Sequence, residues 1–268
     1  MKNNRQPVVM TIAGLDPSAG AGVLADIKTI SRFGCYGVAA VTSLTLQNTQ
    51  GVFGAYHQDR SAVRGQIEPL LDDFEIAAIK TGMLPTVEVI EEVAEIISTW
   101  ASPRLVVDPV VRSTSGYDLI DERALGALIR NLFPLASIVT PNVAEAERIT
   151  GISITDSQSM GEAAEALFAL GPRAVLVKGG DLRSEKADDL LLDGEGHTVF
   201  SIERVASRNT HGTGCALSAA LACLIARGLS VRESVPIAKR YINEAIISAP
   251  DLGRGHGPLN HFPPGFEL

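Results

Sequence analysis

Residues 7–33 read PVVMTIAGLDPSAGAGVLADIKTISRF, a short apolar run followed by a glycine-rich turn and a longer amphipathic segment. The apolar run at 7–13 predicts a buried strand, and the periodicity of 21–33 predicts a helix with one apolar face. The same alternation recurs along the chain and is typical of an α/β sheet protein. This stretch therefore predicts the first strand and helix of a largely parallel central sheet flanked by helices.

The remaining elements are predicted from the same pattern. Apolar runs predict further strands near residues 38–46, 76–80, 104–108, 136–140 and 173–178. Amphipathic segments predict helices at 60–73, 86–99, 121–132, 142–150, 159–170, 214–227 and 231–249. Two runs at 188–193 and 197–203, joined by a Gly-Glu-Gly turn, predict an antiparallel hairpin. No linker or internal repeat is visible, so we expect a single domain over 1–268, although the tail at 253–268 has no clear periodicity.

The composition narrows the class of partner. The chain has 268 residues and a formal net charge of −8, which disfavours nonspecific binding to nucleic acid or to an anionic membrane. Its three cysteines, Cys35, Cys215 and Cys223, have neither metal-ligand spacing nor the pattern of a disulfide framework, which favours the reducing cytoplasm. The first apolar run is too short for a signal peptide, and no segment is predicted to span a membrane.

The glycine-rich loop within residues 13–29 invites comparison with nucleotide-binding motifs. It lacks the Gly-Lys-Ser/Thr ending of a P-loop, and Gly14, Gly20 and Gly22 do not have the dinucleotide-binding spacing. Glycines at a ligand-facing edge also allow the backbone to lie close against a flat ring. The loop therefore suits a small cyclic substrate better than a pyrophosphate.

Polar residues stand at the carboxyl ends of four predicted strands, namely Lys80, Asp108, Asn142 and Lys178. Any one of them is also consistent with a strand terminator or a helix cap. Ligands of open α/β sheets bind at this edge, because the carboxyl ends of parallel strands meet there. Four polar residues together therefore predict a binding site.

A second glycine-rich turn, in NTHGTGCALSAALACLIARG at 209–228, leads directly into a long apolar helix. Gly212 and Gly214 permit the turn, Thr213 is a suitable helix cap, and the exposed amides with the helix dipole predict an anion site. The same field is expected to favour the thiolate of Cys215. Local chemistry leaves open whether Cys215 is structural or functional, whereas Cys35 and Cys223 are expected in the core.

Seven segments, in order along nearly the whole chain, resemble the hydroxymethylpyrimidine/phosphomethylpyrimidine kinases of thiamine biosynthesis. They are AGLDPSAGAGVLADIKT, SLTLQNTQGV, IKTGML, VVDPV, TPNVAEA, LVKGG and NTHGTGC. The resemblance implies a ribokinase-like three-layer sandwich. It also implies an enzyme that uses ATP and Mg²⁺ to phosphorylate 4-amino-5-hydroxymethyl-2-methylpyrimidine and then its monophosphate.

The resemblance implies roles at the phosphate end of the site. Gly212, Thr213 and Gly214 form the anion hole, and Cys215 takes the place of a catalytic base. Lys178 neutralises nucleotide phosphate charge, while Glu145, with Asp108 near it, organises magnesium largely through water. The residues implied in nucleotide binding are Lys178, Asn142, Thr210 and Gly212.

The substrate-binding positions implied by the resemblance are Gly14, Asp26, Gln47, Met83 and Val110. Gln47 is the most informative, because a side-chain amide offers a donor beside an acceptor and so complements an aminopyrimidine edge. A polar cap at a strand end remains the alternative for Gln47, and a core position remains the alternative for Met83.

The chain departs from the family pattern after its Asp-Pro-Val segment, where Val111 and Arg112 stand in place of the common methionine and SGYDLI occupies 115–120. This loop is a candidate cover for the site, and its chemistry leaves the fine substrate preference open. A pyridoxal kinase of the same subfamily and a non-catalytic pyrimidine-binding protein are the competing hypotheses. Relatives of this fold often form dimers, which predicts a homodimer.

Overall fold

The computed structural model describes residues 6–100, 104–113, 116–182 and 186–268. Within these ranges a single sheet contains nine strands in the order β3-β2-β1-β4-β5-β6-β7-β8-β9. The strands are β1 (Val8–Leu15), β2 (Tyr36–Asn48), β3 (Gly51–His57), β4 (Ile76–Thr81), β5 (Leu105–Val107), β6 (Ile138–Val139), β7 (Ala174–Lys178), β8 (Lys186–Asp193) and β9 (Gly196–Glu203).

Eight α-helices in the described ranges connect and cover the strands. They are α1 (Gly22–Arg32), α2 (Arg60–Asp73), α3 (Val87–Thr99), α4 (Glu122–Asn131), α5 (Val143–Thr150), α6 (Ser157–Phe168), α7 (Thr213–Ala226) and α8 (Val231–Ile247). None of these helices combines the length and the apolar composition that crossing a bilayer requires.

The sheet separates two apolar cores. Met10 and Ile12 of β1 pack with residues of α2 to α6, while Val9 of the same strand packs with residues of α1, α7 and α8. Alternate side chains of a strand point to opposite faces, so one apolar strand contributes to both cores. The result is the predicted three-layer arrangement.

Strand direction sets the position of the site. Strands β1, β2 and β4 to β7 pair in parallel, so their carboxyl ends share one edge of the sheet. Strands β3, β8 and β9 pair antiparallel to their neighbours. The predicted hairpin is confirmed as β8 and β9, whereas β3 carried no strand prediction.

The last segment of the chain forms neither helix nor strand, yet it is packed against the fold. Phe266 is 1% exposed and lies with its ring centroid 5.5 Å from that of Phe33 and 5.2 Å from that of Tyr241. Earlier in the tail, the Gly257 carbonyl accepts a hydrogen bond of 3.2 Å from the His211 amide. The tail therefore contacts the turn that precedes α7.

Candidate active site

A cavity of about 1020 Å³ lies at the carboxyl edge of the parallel strands. All four polar residues predicted at the strand ends line it. All but one of the other residues implied by the family resemblance also line it. They are Gly14, Gln47, Met83, Val110, Glu145, Thr210, Gly212, Thr213, Gly214 and Cys215. The exception is Asp26, which lies beneath the cavity wall.

The turn before α7 has the conformation that glycine permits. Gly212 has φ of +83°, and a Cβ atom on it would lie 1.9 Å from the carbonyl oxygen of Gly20. Gly212 is therefore the N-cap of α7, and the prediction that Thr213 caps the helix is wrong, because Thr213 is already its first helical residue. The amides of Gly214 and Cys215 have no backbone acceptor in the described ranges, which leaves them able to bind an anion.

Lys178 places a positive charge beside these amides. A Cβ atom on Gly214 would lie 3.0 Å from Lys178 Nζ, so the glycine allows the lysine to approach the helix start. Nζ of Lys178, the last residue of β7, lies 3.1 Å from Oδ1 of Asp108, which follows β5. Burial alone would lower the pKa of Lys178, but the charges of Asp108 and Glu145 raise it above its usual value. The lysine is therefore charged at neutral pH.

The two predicted metal-organising carboxylates are already bound to protein donors. Asp108 accepts hydrogen bonds from Thr140 and Ser218, and Glu145 accepts backbone N–H groups of Asn142 at 2.9 Å and Val111 at 3.4 Å. The pKa of Glu145 is raised to about 7, mainly by burial and also by the charge of Asp108, whereas the charge of Lys178 acts in the opposite direction.

The side chains around Asp108 and Glu145 indicate how magnesium could be held here. No cluster of three or more His, Cys, Asp or Glu side chains in the described part of the chain is placed to hold a metal directly. Magnesium commonly keeps several waters and uses one or two carboxylates together with substrate phosphates. Asp108 and Glu145, both on the cavity wall, fit such an indirect arrangement.

Cys215 lies in the first turn of α7 and is partly exposed to the cavity. Burial raises the pKa of its thiol to about 11, and the positive charge of Lys80 offsets only part of this effect. Burial therefore opposes the thiolate that the helix start was expected to favour, because desolvation disfavours the charged form. Cys35 and Cys223 are buried, as expected.

Asp26 takes a different place from the one predicted. It is fully buried, its carboxylate lies 2.8 Å from Lys80 Nζ, and it accepts the Thr11 hydroxyl at 2.6 Å. Burial raises the pKa of Asp26, although the charge of Lys80 acts in the opposite direction. Lys80 reaches the cavity wall and Asp26 does not, so Asp26 acts on the site by holding Lys80.

The opposite end of the cavity can accept a flat ring. A Cβ atom on Gly14 would lie 3.0 Å from Met83 Sδ, so the backbone of β1 and the thioether approach each other closely there. The Gln47 amide also lines the cavity, with Nε2 3.3 Å from His211 Nε2 and Oε1 3.0 Å from Thr45 Oγ1. This end therefore combines apolar surface with one side-chain amide.

Two residues of this end were not predicted. His211 Nε2 lies 2.7 Å from Asp16 Oδ2, and both residues are almost fully buried. Asp16 also accepts the backbone N–H groups of Ser18 at 2.8 Å and Ala21 at 3.0 Å, which shapes the glycine-rich loop. The Asp-Pro-Ser sequence is a turn signal, but it gives no information about a histidine 195 residues away.

The fold and the site together define a class of protein. A pyridoxal kinase from Staphylococcus aureus, solved in complex with AMP-PCP and pyridoxal, superposes with a TM-score of 0.89 at 32% identity, covering 97% of this chain and 96% of that chain. This likeness and the mostly parallel sheet between two helical layers define a ribokinase-like α/β kinase.

The family follows from the sequence comparisons. The family model for phosphomethylpyrimidine kinase matches residues 16–260. A hydroxymethylpyrimidine/phosphomethylpyrimidine kinase of Streptomyces coelicolor is 42% identical over 95% of this chain and 94% of its own length. A thiamine biosynthesis bifunctional protein of Geobacter sulfurreducens is 45% identical over 97% of this chain, which spans only 54% of that longer protein. The chain belongs to the phosphomethylpyrimidine kinase family.

Proposed function

We propose that this enzyme transfers the terminal phosphoryl group of ATP to 4-amino-5-hydroxymethyl-2-methylpyrimidine, and then phosphorylates the monophosphate to the diphosphate, in thiamine biosynthesis. The names of its relatives support the reaction. The observation that carries the proposal is that one cavity is lined by the Gln47 amide, near the end of β2, and by Lys178 at the end of β7, beside the start of α7.

The phosphate end supplies charge neutralisation. Phosphoryl transfer depends mainly on positioning and on stabilising charge at the phosphoryl oxygens. We propose that Lys178 and the amides of Gly214 and Cys215 do this. Bound magnesium would neutralise further phosphate charge, and Asp108 and Glu145 would hold it through water molecules.

We propose that the nucleotide base binds against an apolar part of the cavity wall. Leu217, Ile242 and Ile246 line the cavity with Thr210, while Lys239 forms a buried ion pair of 2.5 Å with Asp189. Asp189 in turn accepts the Gly179 amide at 3.0 Å, directly after Lys178. We propose that the apolar side chains contact the nucleotide base and that the ion pair keeps the end of β7 in place.

A pyridoxal kinase is the second candidate, because the Staphylococcus aureus neighbour is named for that substrate. The deciding experiment measures ATP-dependent phosphorylation of the hydroxymethylpyrimidine, its monophosphate and pyridoxal by the same preparation. A higher kcat/KM for both pyrimidines supports the proposal. Preference for pyridoxal overturns it, and an absence of turnover with all three favours a non-catalytic binding protein.

We also propose that two copies of the chain pair through the β2–β3 edge. Leu46, Phe53 and Tyr56 are 48%, 67% and 66% exposed there, and an uncovered edge strand with large apolar side chains favours association. Sedimentation velocity should show a dimer that Tyr56→Glu weakens.

The three free cysteines fit the expected reducing cytoplasm.

A further inference from the structure

A connected series of polar groups surrounds the Gln47 amide. His211 Nε2 lies 2.7 Å from Asp16 Oδ2 and 3.3 Å from Gln47 Nε2. On the other side of the amide, Thr45 Oγ1 lies 3.0 Å from Gln47 Oε1 and 3.1 Å from the carbonyl oxygen of Leu15. The side chains in this series line the cavity, so the orientation of the amide determines what a ligand meets.

The proton on His211 can be assigned from its partner. Burial would raise the pKa of Asp16, but hydrogen bonds from His211 and Ser18 lower it below its usual value, so Asp16 is an ionised carboxylate that only accepts. The nearest His211 nitrogen, Nε2, must therefore carry a hydrogen. The single hydrogen of this nitrogen is directed to Asp16, so His211 Nε2 has no lone pair with which to accept a hydrogen bond from the Gln47 amide.

The hydrogens of Gln47 and Thr45 lead to the same conclusion. With the amide nitrogen toward His211, two donors would face each other, and the single Thr45 hydrogen would have to serve both Leu15 and Gln47. The oxygen and nitrogen of an amide have nearly the same shape, so turning the group by 180° changes only the hydrogen bonding. In the turned amide, Gln47 donates to Thr45, Thr45 donates to Leu15, and the Gln47 oxygen shares the one His211 Nε2 hydrogen with Asp16 in a three-centre hydrogen bond.

We infer that His211 and Thr45 are positioning residues that hold the Gln47 oxygen on the His211 side and its nitrogen on the Thr45 side, and that this order selects a 4-aminopyrimidine against a 4-oxopyrimidine. One N–H and one oxygen lone pair of the amide remain for the ligand. They match an amino donor on the His211 side and a ring-nitrogen acceptor on the Thr45 side. A 4-oxopyrimidine presents the reverse order, with a carbonyl acceptor on the His211 side and a ring N–H donor on the Thr45 side. This inference rests on the proposed function of Gln47 in binding the ring.

The test measures kcat/KM for ATP-dependent phosphorylation of 5-hydroxymethyl-2-methylpyrimidines that carry either a 4-amino or a 4-oxo group. The wild-type protein should prefer the amino compound by roughly 5- to 150-fold, the discrimination typical of one bidentate amide pair. Thr45→Val and His211→Ala should each lower this ratio by about fivefold or more, since the amide can then turn. The ratio of kcat/KM for the two substrates does not change when part of the protein is inactive. Thr45→Val keeps nearly the shape of the threonine side chain.

A double-mutant cycle separates positioning from direct contact. In a Gln47→Met background there is no amide to orient, so adding His211→Ala should change the ratio by less than about twofold. The inference is overturned if both single variants keep the wild-type ratio, or if His211→Ala lowers the ratio equally with and without Gln47. If the wild-type protein does not phosphorylate the amino compound at all, the proposed function has failed, which is a separate result.

Discussion

At the scale of single residues, Cys215 is subject to opposing effects. The start of α7 and the charge of Lys80 favour a thiolate, but burial raises the pKa of the thiol to about 11. At pH 7 a thiol with this pKa is ionised in only about one molecule in 10,000. If Cys215 is the base for the substrate alcohol, its contribution should therefore increase with pH.

We expect the single-turnover rate of alcohol phosphorylation to rise by roughly tenfold per pH unit from about pH 7 to 10, because only the thiolate accepts a proton. Phosphorylation of the monophosphate should show no such rise, since its phosphate is already mostly dianionic above about pH 6. Cys215→Ala should remove the pH dependence and slow the first step by about 100- to 10,000-fold. Rapid-quench measurements of both steps provide the check.

The buried cysteine of the same helix, Cys223, is the matched control, and Cys223→Ala should leave both pH profiles unchanged. Equal losses in the two steps for Cys215→Ala would show that this residue shapes the anion site instead of acting as a base. A negligible loss in both would return Cys215 to a structural role.

Lys178→Ala should lower kcat by about 100-fold or more in both steps, because the charge it neutralises is greatest in the transition state. Steady-state kinetics with varied ATP will separate this effect from nucleotide binding. A change confined to the apparent KM for ATP contradicts the catalytic role. Thermal unfolding is the necessary control, since the substitution leaves the buried Asp108 without its 3.1 Å partner.

At the scale of elements, periodicity predicted most strands and helices within a few residues of their observed bounds. It did not predict β3, GVFGAYH, whose residues do not alternate clearly between buried and exposed positions. An edge strand of this kind is specified by its pairing with β2 more than by its own sequence. The turn before α7 was predicted, but its cap was assigned one residue too late.

Gly212→Ala should destabilise the protein by about 1 kcal/mol or more and reduce both phosphorylation steps, because Cβ would meet the Gly20 carbonyl and φ is +83°. Gly65→Ala in α2 is the matched control, since nothing lies within 4 Å of its Cβ position. Alanine in a helix should instead stabilise by about 0.5–1 kcal/mol. Urea unfolding measures both changes, and an equally tolerated Gly212→Ala contradicts the proposed turn.

At the scale of the whole molecule, we propose that residues 1–268 unfold as one unit in which the tail is an integral part. The guanidinium groups of Arg32 and Arg240 lie 5.2 and 5.4 Å from the ring centroid of Phe266. Phe266→Ala should therefore cost about 3–5 kcal/mol of unfolding free energy in a single urea transition. Phe262→Ala, at a side chain that is 56% exposed, should change it by less than about 0.5 kcal/mol. Equal effects of the two substitutions contradict an integral tail.

The sequence by itself determined the alternation of strands and helices, apart from β3, and the presence of Lys80, Asp108, Asn142 and Lys178 at one edge. These features follow from short-range periodicity and from the geometry of parallel strands, both of which can be recognised within a few residues. Only the tertiary structure decided that Asp26 pairs with Lys80, that burial raises the pKa of Cys215, and that His211 contacts Gln47 across 164 residues of chain. Desolvation and hydrogen bonding between distant segments depend on which groups the fold brings together, and no local pattern contains that information.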